Sequence, residues 1–252
     1  LRKFGKTELL SKIRNKGDFY SSSGSTGTPT SIYYSREFHQ KWRAAFEVRI
    51  NEWAGVSKYT PRGMIGGRKI VKSNKPPYYR YNYFEKQTYF SAYHISQNNI
   101  QNYLEGIIKG KVEYMTGYAM SNYLLAIEFQ KAGIVPPKMK AVITSSEKLT
   151  KKMRRTLERV YDCKVFDAYS GVECCGLISE SNDGQLFISP DAGIVEVLNE
   201  KENPVHENEI GELISTGLLN YDQPLIRYKI GDRISLGKMD DNNAQVQMPI
   251  VK

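Results

Sequence analysis

From Lys140 to Tyr169 the sequence reads as a strand, a helix and a second strand. Lys140-Ala-Val-Ile-Thr144 is a short apolar run, Leu149, Met153, Leu157 and Val160 recur at helical spacing, and Lys164-Val-Phe-Asp-Ala-Tyr169 returns to a β pattern. A crossover of this length joins parallel, neighbouring strands with right-handed sense. Ser145-Ser146-Glu147 and Ser170-Gly171-Val172-Glu173 should therefore leave one carboxyl edge of a sheet, where open α/β sheets bind ligands.

The flanking sequence extends this pattern. Ser35 caps a helix carrying Phe38, Trp42, Ala45, Phe46, Ile50 and Trp53 on one face, ended by Gly55. Residues 61–83 read as loops and short strands. A second helix starts near Ser96 or Asn98 and stops at Gly110, a short strand follows at Val112 to Met115, and a third helix runs from about Met120 to Lys131. The face Lys151, Lys152, Arg154, Arg155 and Arg159 is the outer side of the crossover helix. From Gln185 the chain changes to short β runs, Gln185–Ser189, Gly193–Leu198, Gly211–Thr216 and Leu225–Lys229, with a polar hairpin loop at Asn199–Asn208. The expected fold class is α/β: a mixed, largely parallel sheet with flanking helices, plus a smaller C-terminal antiparallel β subdomain. Residues 1–184 would form the α/β core and residues 185–252 the β-rich subdomain.

Composition narrows the partners. The 252 residues carry 36 Lys and Arg against 27 Asp and Glu, a net charge of +9, with 40% hydrophobic residues. That balance suits a folded protein with an anionic partner: nucleic acid, an acidic surface or a phosphorylated small molecule. The longest uncharged stretch, Tyr114 to Ile127, is too short and polar to span a bilayer, so no membrane partner is expected. Cys163, Cys174 and Cys175 show neither zinc spacing nor a paired framework. With no apolar leader after Leu1-Arg2-Lys3-Phe4-Gly5-Lys6, free thiols set the expectation of a cytoplasmic protein.

The sharpest local feature is Ser22-Ser23-Gly24-Ser25-Thr26-Gly27-Thr28-Pro29-Thr30. Glycines let backbone N–H groups converge on an anion, hydroxyls add donors, and no carboxylate interrupts the run between Asp18 and Glu37. It is not a Walker loop, because no Gly-Lys-Ser/Thr follows and Ile32-Tyr33-Tyr34 predicts a strand afterwards. A surface linker of the same composition is the competing reading. Tyr78-Tyr79-Arg80-Tyr81-Asn82-Tyr83 reads as a pocket wall or, with the basic helix face, as a nucleic-acid platform. Tyr93, His94, Tyr118 and Met120 are candidates for a mixed aromatic and polar substrate pocket.

Ser23 to Pro29, Ser145 to Glu147, Asp167 to Glu173, Gly211-Glu-Leu-Ile-Ser-Thr-Gly217 and Arg227 to Asp232 occur in this order. Together they resemble the motifs of the adenylate-forming superfamily of acyl-CoA synthetases, most closely its phenylacetate–CoA ligase-like, capsular polysaccharide biosynthesis-type branch. Ser170 stands where the family has Gly, and Val172 and Ile230 stand where it has Thr. The resemblance runs from about Gly17 to Asp232. It leaves the family's preceding N-terminal part and its C-terminal lid domain, with the catalytic Lys, outside the 252 residues.

The resemblance implies ATP-dependent activation of a small-molecule carboxylate to an acyl-adenylate, with pyrophosphate release and transfer to CoA or another acyl acceptor. It makes Glu173 and Thr26 the catalytic candidates and Glu173 the Mg2+ ligand. Ser23, Gly24, Ser25, Thr26, Gly27 and Thr28 would hold phosphates. Ser145, Ser146, Glu147, Ala168 and Tyr169 would surround adenine, while Asp232, with Arg227 nearby, would take the ribose hydroxyls. Two alternatives stay open: a basic nucleic-acid-binding module, and a degenerate family member that binds nucleotide without turnover. The carboxylate, the acceptor and the oligomeric state are not encoded in these motifs.

Overall fold

A computed structural model describes residues 5–21, 29–70, 75–237 and 248–251. Among them, in chain order, lie β1 (Gly17–Ser21), β2 (Ser31–Ser35), α1 (Arg36–Phe46), β3 (Arg62–Gly66), β4 (Tyr79–Asn82), β5 (Gln87–Ser91), α2 (Ile100–Lys109), β6 (Tyr114–Tyr118) and α3 (Ala119–Lys131). Then follow β7 (Ala141–Ser145), α4 (Lys151–Tyr161), β8 (Lys164–Tyr169), β9 (Ile178–Glu180), β10 (Leu186–Ile188), β11 (Gly193–Leu198), β12 (Ile210–Gly217), β13 (Tyr228–Ser235) and β14 (Ile250–Val251). The chain divides into two compact units, residues 1–49 with 169–252, and residues 50–168.

Residues 50–168 carry the parallel sheet. Its strands run β8-β7-β6-β3-β5-β4, all parallel except β4, which is antiparallel to β5. The mixed, largely parallel α/β architecture expected from the crossover is thus present. α2, α3 and α4 supply the covering layer, and Ile65, Phe90, Tyr103, Met115, Leu125, Phe129, Val142 and Leu157 are buried in one apolar cluster. Thr150 starts α4, its hydroxyl accepting from Met153 N–H at 3.2 Å. Asp162 ends that helix in the left-handed region. Gly117 is needed where β6 meets β3: it sits at φ +125°, and a Cβ there would strike the Ile65 carbonyl. One expectation about the α4 surface changes, because Arg154 turns inward and donates to the Val165 carbonyl of β8 instead of standing on the outer face.

In the other unit β1 and β2 form an antiparallel hairpin whose ends, Ser21 and Ser31, are paired, with their hydroxyls 3.0 Å apart. Ser35 then caps α1 by accepting from Phe38 N–H at 3.2 Å. The helix passes at Glu47 into a π-helical turn ending at Asn51. The backbone of β2 is also held by side chains: Gln223 Oε1 accepts from Tyr33 N–H at 2.6 Å and Asn220 Nδ2 donates to Tyr33 O at 3.0 Å. β9, β10 and β14 pair antiparallel, and β11-β12-β13 form the antiparallel sheet of the β subdomain.

Some boundaries moved from the sequence expectation. The strand expected from Leu225, β13, begins at Tyr228, because Arg227 has φ +46° and breaks the extended run. The strand expected at Val112 to Met115 is shifted to Tyr114–Tyr118. The change of pattern at residue 185 is not where the compact units divide; the backbone leaves one unit at residue 49 and re-enters it at 169. Contacts between distant segments set that division, and no local pattern records them.

Candidate functional site

β8 ends at Tyr169, and the turn after it carries Glu173. Cys174 N–H closes this turn on the Gly171 carbonyl at 3.1 Å, with Cys174 itself at φ +47°. Glu173 is half-buried, and a Cβ on Gly171 would collide with its carboxylate, so glycine makes the room into which that side chain folds. Val172, which stands where the resembling family has Thr, packs against the cluster of Ile32, Cys175 and Leu225. Its carbonyl accepts from Tyr34 O–H at 2.6 Å, and the same hydroxyl lies 2.8 Å from Cys174 Sγ. The position serves packing. Burial first, and then the neighbouring acidic groups including Glu173, push the Cys174 and Cys175 thiols up to about 12.

Asp232 reaches this neighbourhood through a bulge. Glu212 pairs with Arg233 and Ile214 with Lys229, so Leu213 alone faces Ile230, Gly231 and Asp232. Gly231 takes φ +97°, a conformation that side chains rarely adopt, and Ile230 packs into the apolar clusters below. Tyr169 O–H donates to Asp232 Oδ2 at 2.6 Å. Burial, then that hydrogen bond, then the charges of Asp232 and Glu173 hold the Tyr169 phenol protonated well above its ordinary range. Tyr169 and Asp232, 63 residues apart, are thus neighbours within one unit, with Glu173 on the turn that follows Tyr169. Arg227 stands nearby in the chain, but its Nε is paired with Glu196 Oε2 at 3.0 Å and its N–H with Thr216 Oγ1 at 2.9 Å.

In residues 50–168 the carboxyl ends of β3, β5, β6 and β7 bring a second group of candidates to one sheet edge. Tyr118 ends β6, and a Cβ on Gly67 would come within 2.9 Å of its hydroxyl. Tyr93 O–H donates to the Gly67 carbonyl at 2.9 Å. His94 Nδ1 lies 2.8 Å from Ser91 Oγ, and its ring stacks on Tyr78 at 4.6 Å between centroids. Tyr93 and Tyr118 therefore meet at Gly67, while His94 is held by Ser91 and Tyr78 next to Tyr93 in the chain. Beside them, Ser145 ends β7, Ser146 adopts φ +66°, and Glu147 Oε2 accepts from Met120 N–H at 2.8 Å. Ala168 is buried next to Ser145 in the ladder.

The candidate phosphate-binding residues Ser23, Gly24, Ser25, Thr26, Gly27 and Thr28 lie outside the described residues. What is described is their frame, the paired ends Ser21 and Ser31. Sequence reasoning passed over Gly66-Gly67, Ser91 and Tyr34. A Gly-Gly pair closing an apolar strand is the signal that could have marked the first; the role of Tyr34 rests on a contact 140 residues away and left no local trace.

No protein-family model matches the chain. It is 32% identical over 238 residues to Protein CapK of Staphylococcus aureus, a match covering 91% of this chain and 50% of CapK, so the chain spans about half the length of that curated relative. An open conformation of 2-hydroxyisobutyryl-CoA ligase, solved with 2-HIB-AMP and CoA, superposes with a TM-score of 0.66 at 17% identity, over 93% of this chain and 55% of the ligase. The acyl-CoA synthetase of Brucella canis superposes with a TM-score of 0.59 at 16% identity, over 87% and 43%. The luciferase-like enzyme of the nonluminescent mealworm Zophobas morio gives 0.57 at 17% identity, over 96% and 59%. The 32% identity to CapK over nine-tenths of the chain shows that the chain belongs to the family of CapK, and its fold is the one the acyl-CoA ligases share.

Proposed function

We propose that this chain carries the nucleotide- and carboxylate-binding core of an AMP-forming ligase that activates a small carboxylic acid as its acyl-adenylate. The observation that carries the reading is the convergence of Tyr169, Glu173 and Asp232, with Asp232 set by a bulge beside the end of β8. An aromatic ring, a carboxylate on the turn after it, and a carboxylate on a turned-out loop are what a nucleoside triphosphate needs at base, phosphates and ribose. Asp232 would accept from the two ribose hydroxyls. Donors of the Ser23–Thr28 loop would hold the β- and γ-phosphates and stabilise the departing pyrophosphate.

The donor chemistry at Glu173 fits Mg2+, a hard cation usually bound by one or two carboxylates together with substrate phosphates. When bound, the ion neutralises phosphate charge as the substrate carboxylate attacks the α-phosphorus. Tyr93 and Tyr118, which meet at Gly67, and His94 next to Tyr93 would line the carboxylate pocket. Transfer of the acyl group to CoA or another acceptor completes the proposal.

Pyrophosphate release from Mg–ATP, measured against a panel of aliphatic, hydroxylated and aromatic carboxylates, tests it. The expected result is release that depends on one class of acid and falls at least ~100-fold in Glu173→Gln, in line with the loss of a transition-state charge partner. Release independent of any acid, or unaffected by Glu173→Gln, counts against the reading.

A further inference from the structure

We propose that Tyr169 is a positioning residue whose hydroxyl locks the Asp232 carboxylate into the orientation that distinguishes an intact ribose diol from a deoxyribose. The inference rests on the reading of Asp232 as the ribose ligand and deepens it.

Asp232 is exposed and stands on the bulge after Gly231, so its backbone gives its side chain little lateral support. A free carboxylate there would sample several rotamers. The Tyr169 ring, by contrast, is anchored: it packs against the cluster of Ile178, Ile188, Leu213 and Val251 at the end of β8. Its hydroxyl is therefore a fixed donor, and the 2.6 Å bond to Oδ2 transfers that fixity to the carboxylate. The phenol, kept protonated by burial and by Asp232 itself, remains a donor across the ordinary working range of pH.

Fixing the carboxylate has a specific consequence. Each oxygen has two acceptor sites, so Oδ2 can serve Tyr169 and one ligand hydroxyl while Oδ1 serves the other. A diol then meets two oxygens already in place, with the ordering cost met before binding. A ligand lacking one hydroxyl leaves one oxygen without its ligand donor, and the locked carboxylate cannot rotate to share the hydroxyl that remains. Without the lock, the carboxylate turns to satisfy a single hydroxyl or water, and discrimination relaxes. Tyr169 thus acts through Asp232 and makes the site read the sugar.

The experiment compares Tyr169→Phe with the unaltered protein, using calorimetric affinities for ATP and for its two analogues that each lack one ribose hydroxyl. Phenylalanine keeps the ring in its apolar cluster, and coincident thermal unfolding of the two proteins confirms the fold. The unaltered protein is expected to prefer ATP by ~10-fold or more over each analogue, the scale of one hydrogen bond to a charged group. In Tyr169→Phe the analogues should bind within ~2-fold of their original affinity, while ATP weakens until the preference is about 3-fold or less. An equal loss for ATP and both analogues would mean that the hydroxyl serves packing or base contact, and an unchanged preference would mean that it does nothing; either overturns the proposal while leaving the nucleotide reading intact. Absence of any adenine-nucleotide binding by the unaltered protein would overturn both.

Discussion

Glu147 Oε2 accepts the Met120 backbone N–H at 2.8 Å, so the loop after β7 caps the first turn of α3. α3 has no acidic residue in that turn and no side-chain cap from Tyr118, its own N-cap residue. The carboxylate supplies both an acceptor for an orphan N–H and a negative charge at the positive end of the helix dipole. The same contact ties the Ser145–Glu147 loop to the helix that follows Tyr118.

Glu147→Ala should therefore lower stability by about 1 kcal/mol, the usual worth of a helix N-cap. Glu147→Gln, which keeps an acceptor but loses the charge, should lose about half of that. Urea midpoints of the two variants check the order. Equal stability for Glu147→Ala and the unaltered protein would show that water replaces the carboxylate without cost.

Gly231 is the second position where backbone geometry makes a demand. At φ +97° an alanine is strained even though a Cβ there meets nothing within 4 Å. Gly231→Ala is expected to cost about 1–2 kcal/mol and to weaken ATP binding as Asp232 is displaced. A variant of unchanged stability and unchanged nucleotide affinity would mean that the bulge does not aim Asp232.

Alkaline pH should destabilise the protein in a defined window. Burial holds Cys163, Cys174 and Cys175 at about 12 instead of the ordinary 9.0, and raises the phenols of Tyr34, Tyr103, Tyr161 and Tyr169 above 10.0. For an acid whose folded value lies above its unfolded value, the folded state favours the protonated form. The stabilisation is complete below pH ~9 and is lost as pH climbs toward ~12. Urea midpoints are expected to stay level from pH ~7 to ~8.5 and to decline beyond it. Alkylation of the native thiols at pH ~8 should be at least ~100-fold slower than in urea, because the thiolate fraction falls with the raised value. Rapid labelling of Cys174 or Cys175 in the native protein would contradict the burial of that turn.

How far the sequence spoke for the structure depended on the range of the contacts involved. The β7–α4–β8 crossover was readable because Val142, Leu157 and Val165 repeat with the period of their own elements. Ser35 as a cap and Gly110 as a stop were readable because helix ends have local chemistry. β1 was missed, as it gains its strand character from pairing with β2 across the loop. β9 is three residues long, too short for a periodic signal. In the candidate site, Tyr169, Glu173 and Asp232 were named from their motifs, but nothing local foretold the bond between residues 169 and 232. Nor did it foretell that Arg154 would leave the basic face for the Val165 carbonyl.

The central claim, that Tyr169, Glu173 and Asp232 belong to an adenine-nucleotide site, is tested most directly by calorimetric titration of Mg–ATP into the protein and into Asp232→Ala. The account predicts saturable one-site binding, a clear preference for ATP over GTP, and a loss of ~10-fold or more in Asp232→Ala that AMP shares, because both nucleotides carry the ribose. Absence of saturable binding would contradict it. So would equal affinity for ATP and GTP that collapses with salt and ignores Asp232, the behaviour of a basic surface meeting a polyanion.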